Sequence, residues 1–185
     1  KKVFCAASTH YNEEKIIGRL HLELKKKFKN LITILVPRHI NRSEEIIQEL
    51  SKFKLKVIER TSGRKPAADC DVYIVNTYGE MSKFLGLSNI TFVGGSMVNH
   101  GGQNPLEAVR MGNYVLHGKK INNFKEIYKE LKNLKVSSEV KNVDQMKRVF
   151  MKNHNYKKSN NNLKRINYLG TKIFKSNIEE IKNYL

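Results

Sequence analysis

Short, continuous apolar runs alternate along the chain with segments whose apolar positions recur every three or four residues. Val3-Phe4-Cys5-Ala6-Ala7 is the first run. Ile16, Ile17, Leu20, Leu24 and Phe28 then follow helical spacing. Residues 31–36 predict a second strand, stopped by Pro37. Ser43 predicts the cap of a helix carrying Ile46, Ile47, Leu50 and Phe53, with Glu44 and Glu45 in the first turn, where carboxylates meet the positive end of the dipole. Further strands are predicted at 57–58, 72–75, 90–93 and 114–116. Helices are predicted near 81–85, from about Pro105, at 124–131 and at 144–150. Strands that are apolar throughout belong to a parallel sheet covered on both faces. Their alternation with helices makes the fold a doubly wound, Rossmann-like α/β domain. This domain is predicted over 1–152. A basic, Asn-rich link from 153 to 162 and a closing helix of the same domain then run to Leu185.

Composition narrows the class. The chain has 185 residues, 39% of them hydrophobic and 28% charged, which is globular rather than disordered. Two cysteines, Cys5 and Cys70, exclude a disulfide scaffold and point to a reducing compartment. No apolar run approaches the roughly 20 residues of a membrane span. The start at Lys1-Lys2-Val3-Phe4, directly before a strand and with no leader pattern, reads as a cut within a longer protein. Net charge is +18. Such a charge serves nucleic-acid phosphates or anionic membrane surfaces, the latter at about 1 kcal/mol per nearby Lys or Arg. The 27 Lys, 8 Arg and 20 Asn also match what an AT-rich genome writes onto any solvent face. Lysine predominance argues against bidentate base readout, and no aromatic-and-basic stacking motif is present, so nucleic acid is not expected as a partner.

In doubly wound sheets ligands bind outside the carboxyl ends of the strands, which selects the loops that carry chemistry. After the first strand comes Ser8-Thr9-His10-Tyr11-Asn12-Glu13-Glu14, where hydroxyls and N–H groups can meet an anion, or Glu13 and Glu14 simply complement a helix dipole. After the second comes Pro37-Arg38-His39, with Arg38 either a phosphate or base contact or a plain surface residue. Asn76-Thr77-Tyr78-Gly79-Glu80-Met81 follows the fourth, where Gly79 permits close approach of a ligand or Thr77 caps a helix. The fifth leads into Gly94-Gly95-Ser96 and Gly101-Gly102-Gln103-Asn104-Pro105-Leu106-Glu107. There Asn104 suits a cap and Pro105 a first helical turn, which would present N–H groups to a phosphate. Glu107 is either a capping-box partner or an acceptor for two ribose hydroxyls. The segment departs from both G-x-x-x-x-G-K-[ST] and G-x-G-x-x-G, which disfavours an NTPase or dinucleotide oxidoreductase. Six histidines are scattered with no metal-ligand spacing. His10, His39 and His100 fall in the ligand-side loops, His21 and His154 on faces expected to be exposed, and His117 after the sixth strand.

Taken together, Ser8-Thr9-His10 with Glu13-Glu14, Pro37-Arg38-His39, Gly79-Glu80-Met81, Gly94-Gly95-Ser96 and the Gly101–Glu107 block resemble the C-terminal half of the bacterial 3-deoxy-D-manno-octulosonic acid (Kdo) transferases. The resemblance runs from about Val3 to Phe150, with Asn12 standing where the family has a small residue. It implies one half of a GT-B glycosyltransferase, whose C-terminal domain holds the donor CMP-Kdo. The N-terminal domain, absent from this chain, would hold a lipid A precursor and the general base. It implies inversion at the anomeric centre, no metal or other cofactor, and work at the cytoplasmic face of the bacterial inner membrane. No catalytic residue is then expected in this chain, which alone should be inactive. Glu13 and Glu14 would be the only substitutes for the base.

Residue by residue, the resemblance assigns Pro37 and Arg38 to the CMP, at its cytosine. Gly79, Glu80 and Met81 would contact the nucleotide through backbone. Asn104, Pro105 and Leu106 would set a helix terminus at the phosphate, and Glu107 would meet the ribose. Ser8 and Ser96 would touch phosphate or sugar acid. Another GT-B donor domain, from a UDP-sugar transferase or epimerase, is the alternative reading, and a basic nucleic-acid-binding domain a remote one.

Overall fold

The structure, a computed structural model, describes residues 1–66 and 69–157, together with 164, 166–168, 170–171, 178–179 and 182. The Asn160-Asn161-Asn162 run and most of the predicted closing helix lie outside the described residues.

The elements follow in the order β1 (Lys2–Thr9), α1 (Glu13–Lys25), β2 (Leu31–Pro37), α2 (Ser43–Ser51), β3 (Val57–Glu59), β4 (Val72–Ile74), α3 (Met81–Leu85), β5 (Ile90–Val93), α4 (Leu106–Arg110), β6 (Tyr114–His117), α5 (Lys125–Asn133), β7 (Ser137–Glu139) and α6 (Val143–Asn153). The seven strands form one parallel sheet in the order β3-β4-β2-β1-β5-β6-β7. This is the predicted doubly wound architecture. The sequence pattern did not reveal β7, because Ser137-Ser138-Glu139 carries no apolar residue and forms an edge paired only with β6.

Strand alternation sends neighbouring side chains to opposite faces. Phe4 and Ala6 meet α1, α2 and α6 through Leu20, Leu24, Leu50 and Phe150. Cys5 and Ala7 point the other way, into the layer of Leu85, Val109, Ile127 and Leu131 from α3, α4 and α5. Both faces are covered, so the inner strands read as largely apolar runs, with the buried Thr33 and Thr91 as exceptions.

Local corrections have physical causes. Ser43 is the first residue of α2 rather than its cap, and its hydroxyl donates back to the Ile40 carbonyl over 2.8 Å. His21, expected on an exposed face, is fully buried. Its Nδ1 lies 2.9 Å from Thr33 Oγ1, and its Nε2 lies 3.4 Å from the Asp71 carboxylate. Burial lowers its pKa to about 4. His154 is half-buried, its ring centroid 5.1 Å from that of Phe28. Among the described residues, no helix is long and apolar enough to cross a membrane.

Candidate functional site

Strands β1 and β5 lie side by side, but the chain leaves them for opposite faces, β1 to α1 and β5 to α4. Their carboxyl ends therefore open a crevice at the topological switch point. The backbones meet closely there. A Cβ on Gly94 would lie 2.2 Å from the Ser8 carbonyl oxygen, so only glycine fits. Ser8 (φ 54) and Asn12 (φ 71) both adopt left-handed conformations, which asparagine tolerates better than most residues.

Glu13 joins the two loops. It is fully buried, and its carboxylate accepts from the N–H groups of His10 (3.0 Å), Gly95 (2.7 Å), Ser96 (3.0 Å) and Met97 (2.9 Å). Burial raises its pKa while these donors oppose the shift. Glu14, also fully buried, pairs with Arg42 at 3.0 Å. Neither carboxylate is open to a substrate, which removes both as substitutes for a general base. Ser96 is likewise enclosed: its hydroxyl donates to Val93 O (2.7 Å) and accepts from Gly118 N–H (2.9 Å). It shapes the loop and does not face the crevice.

The crevice is a cavity of about 510 Å³ walled by Ser8, Arg38, Met81, Asn104, Leu106 and Glu107. A smaller recess of about 150 Å³ shares Ser8, Arg38 and Met81 and adds Pro37, Tyr78 and Gly79. Most of the residues singled out from sequence thus converge on one cleft from four separate loops. Glu80 and Pro105 sit in those loops without lining it. The Glu80 carboxylate is bound by Arg60 (3.0 Å) and Thr77 (2.6 Å), which hold its pKa down to about 2. Pro105 is buried ahead of α4.

Three walls decide what the cleft can hold. Arg38 is exposed, and its guanidinium has no hydrogen-bond or ion-pair partner among the described residues. Glu107 is not a capping-box residue; its Oε1 accepts from Ser82 on α3 over 2.7 Å. The helix expected to present free N–H groups is only the five-residue α4, and its leading N–H, of Leu106, is already taken by Asn104 Oδ1 at 3.0 Å. Arg38 thus brings to the cleft a positive charge that no ion-pair partner among the described residues takes up. Sequence reasoning missed Tyr78, 78% exposed, and Gln103 and Arg110, which also line the cleft. Arg110 stands three residues after Glu107 on one helix face, a spacing that could have found it.

The three loop histidines come together beside this cleft. The ring centroids of His10 and His100 are 3.9 Å apart, and those of His10 and His39 are 5.8 Å apart. Gln103 Nε2 donates to His10 Nε2 over 3.0 Å. Burial, then the neighbouring His100, His39 and Arg38, lowers the His10 pKa to about 4 and keeps the ring neutral at pH 7. Among the described residues, no group of three or more His, Cys, Asp or Glu is placed to hold a metal ion.

A parallel, doubly wound sheet with its cleft at the β1/β5 switch point defines a Rossmann-like half of the GT-B type. No family model matches the chain. It is 40% identical over 131 residues to the 3-deoxy-D-manno-octulosonic acid transferase of Haemophilus influenzae, covering 71% of this chain and 31% of that protein. To the enzyme of the same name from Rickettsia conorii it is 32% identical over 142 residues, covering 77% and 30%. The crystal structure of the C-terminal CMP-Kdo binding domain of WaaA from Acinetobacter baumannii superimposes with a TM-score of 0.77 at 28% identity, covering 82% of this chain and 79% of that one. The chain belongs to the Kdo transferase family and corresponds to its C-terminal domain. It spans about a third of the length of these curated relatives.

Proposed function

We propose that this chain is the donor-binding domain of a Kdo transferase, holding CMP-Kdo in the cleft between β1, β2, α3 and α4. The observation that carries the proposal is the convergence of Arg38, Met81, Asn104 and Glu107 on one nucleotide-sized cavity, with the Arg38 guanidinium unpaired. Pro37, Gly79 and Tyr78 wall the recess for the base, Glu107 accepts from the ribose hydroxyls, and Arg38 meets the phosphate. As the CMP phosphate leaves, fixed positive charge and hydroxyls stabilise it without a metal. The acceptor, a lipid A precursor, and the general base belong to the N-terminal half, and the whole enzyme works on the cytoplasmic face of the inner membrane with inversion at the anomeric carbon.

The experiment is to titrate the 185-residue chain with CMP in the presence and absence of EDTA, and to incubate it with CMP-Kdo and a lipid A precursor. Binding independent of EDTA, with no transfer above background, is expected. Transfer by this chain alone would place the base within it and contradict that part of the proposal.

A further inference from the structure

A second cavity, about 500 Å³ in volume, lies between α5 and the edge strand β7, and its lining shares no residue with the donor cleft. Lys125, Lys129 and Lys132 line it from one face of α5, at i, i+4 and i+7. All three are exposed, and none forms an ion pair among the described residues. Like charges at this spacing repel one another, and an anion between them would relieve that repulsion. Glu139 is the lone carboxylate in this lining.

The floor carries a second, independent signal. Ser137 is 6% exposed, and its hydroxyl has no hydrogen-bond partner among the described residues. A buried hydroxyl left unpaired costs free energy that a ligand acceptor would recover. The rings of His117 and Tyr128 also line the cavity, tilted 46° to each other with centroids 4.3 Å apart. Tyr128 cannot turn its own hydroxyl to the ligand, since it donates to Gln103 O over 3.0 Å. The cavity thus joins a cationic rim and an unpaired hydroxyl to an aromatic floor, and it is much larger than a bare phosphate.

We infer that the α5/β7 cavity binds a phosphate ester, its phosphate on Lys125, Lys129, Lys132 and Ser137 and its organic part against His117 and Tyr128. The ester comes either from a glycerophospholipid headgroup or from a soluble sugar or glycerol phosphate. The site is independent of the donor cleft and does not rest on the reading of that cleft.

The test uses the 185-residue chain with and without excess CMP, amide shifts being followed during titration with glycerol 3-phosphate and, separately, with vesicles containing phosphatidylglycerol or phosphatidylcholine alone. Lys129→Glu/Lys132→Glu is compared with Lys29→Glu/Lys52→Glu, which changes net charge equally at exposed positions elsewhere. Ser137→Ala, a small change in the floor, guards against a folding artefact. Saturable shifts at α5 and β7, weakened at least tenfold by the cavity pair and by less than twofold by the control pair, are expected. Ser137→Ala should weaken binding several-fold with the fold intact. Loss of phosphatidylglycerol binding in the cavity pair alone identifies a lipid source; loss of glycerol phosphate binding alone identifies a soluble one. Equal effects of the two pairs, or no saturable shift with either probe, would overturn the inference.

Discussion

The buried carboxylate of Glu13 accepts the backbone N–H of Ser96 over 3.0 Å, 83 residues away in the chain, and so clamps the β1 loop to the β5 loop. The same carboxylate accepts three further N–H groups, so the two loops that open the crevice share one anionic anchor. Glu13→Gln puts an amide donor among donors. It should lower stability by about 2–4 kcal/mol, the scale of one or two charge-assisted bonds. Urea unfolding of both proteins checks this; a change within error would remove Glu13 as the clamp.

Arg38 tests the phosphate assignment. Its side chain is exposed and unpaired among the described residues, so Arg38→Met should leave the melting temperature within a degree or two. CMP affinity should fall about ten- to a hundredfold, the worth of a charged hydrogen bond. Calorimetry on both proteins reads the two effects apart, and retained affinity would assign Arg38 to the surface.

Glu107 tests the ribose assignment. With the capping role excluded by its bond to Ser82, Glu107→Gln should weaken CMP by roughly 1.5–3 kcal/mol. Affinity for 2′,3′-dideoxy-CMP should be low in both proteins and differ little between them. A variant that loses both nucleotides equally would place Glu107 away from the ribose.

Tyr78 tests the recess. An exposed ring beside Gly79 offers a stacking surface worth about 1–3 kcal/mol per base. Tyr78→Ala should weaken CMP accordingly, and Tyr78→Phe should restore it. Failure of the phenyl ring to rescue would mean that the hydroxyl, not the face, matters.

Acid should destabilise the chain through its buried histidines. His10 and His21 have pKa values lowered to about 4, against 6.5 in an unfolded chain. The unfolded state therefore binds more protons between pH 6.5 and 4, and stability present at neutral pH is lost as pH falls through that window. Glu13 and Glu14, raised by burial, act in the opposite sense. His21→Gln should flatten the acid decline by roughly 1–3 kcal/mol in denaturant melts. An unchanged slope would show that His21 protonates freely in the fold.

Much of the architecture was legible because both sheet faces are covered: residues 31–36 and 90–93 read as strands of a parallel sheet, and they are β2 and β5. Strand ends then pointed to the loops, and Ser8, Arg38, Met81 and Glu107 do share a cavity. What escaped was set by contacts distant in sequence. Ser137-Ser138-Glu139 shows no apolar signal, since an edge strand borrows its register from β6. Ser96 reads as a ligand hydroxyl until Val93 and Gly118 are seen to saturate it. His21 reads as solvent-facing until Thr33 and Asp71 close over it. The resemblance and the strand-end rule selected the same loops, but neither could show that Glu13 is spent holding them together.

The most direct measurement is calorimetric titration of the 185-residue chain with CMP, UMP and UDP under identical salt. A CMP-holding donor cleft predicts saturable CMP binding that Arg38→Met abolishes or weakens at least tenfold, with UMP and UDP several-fold weaker. Equal affinity for cytidine and uridine nucleotides, or CMP binding indifferent to Arg38, would contradict it.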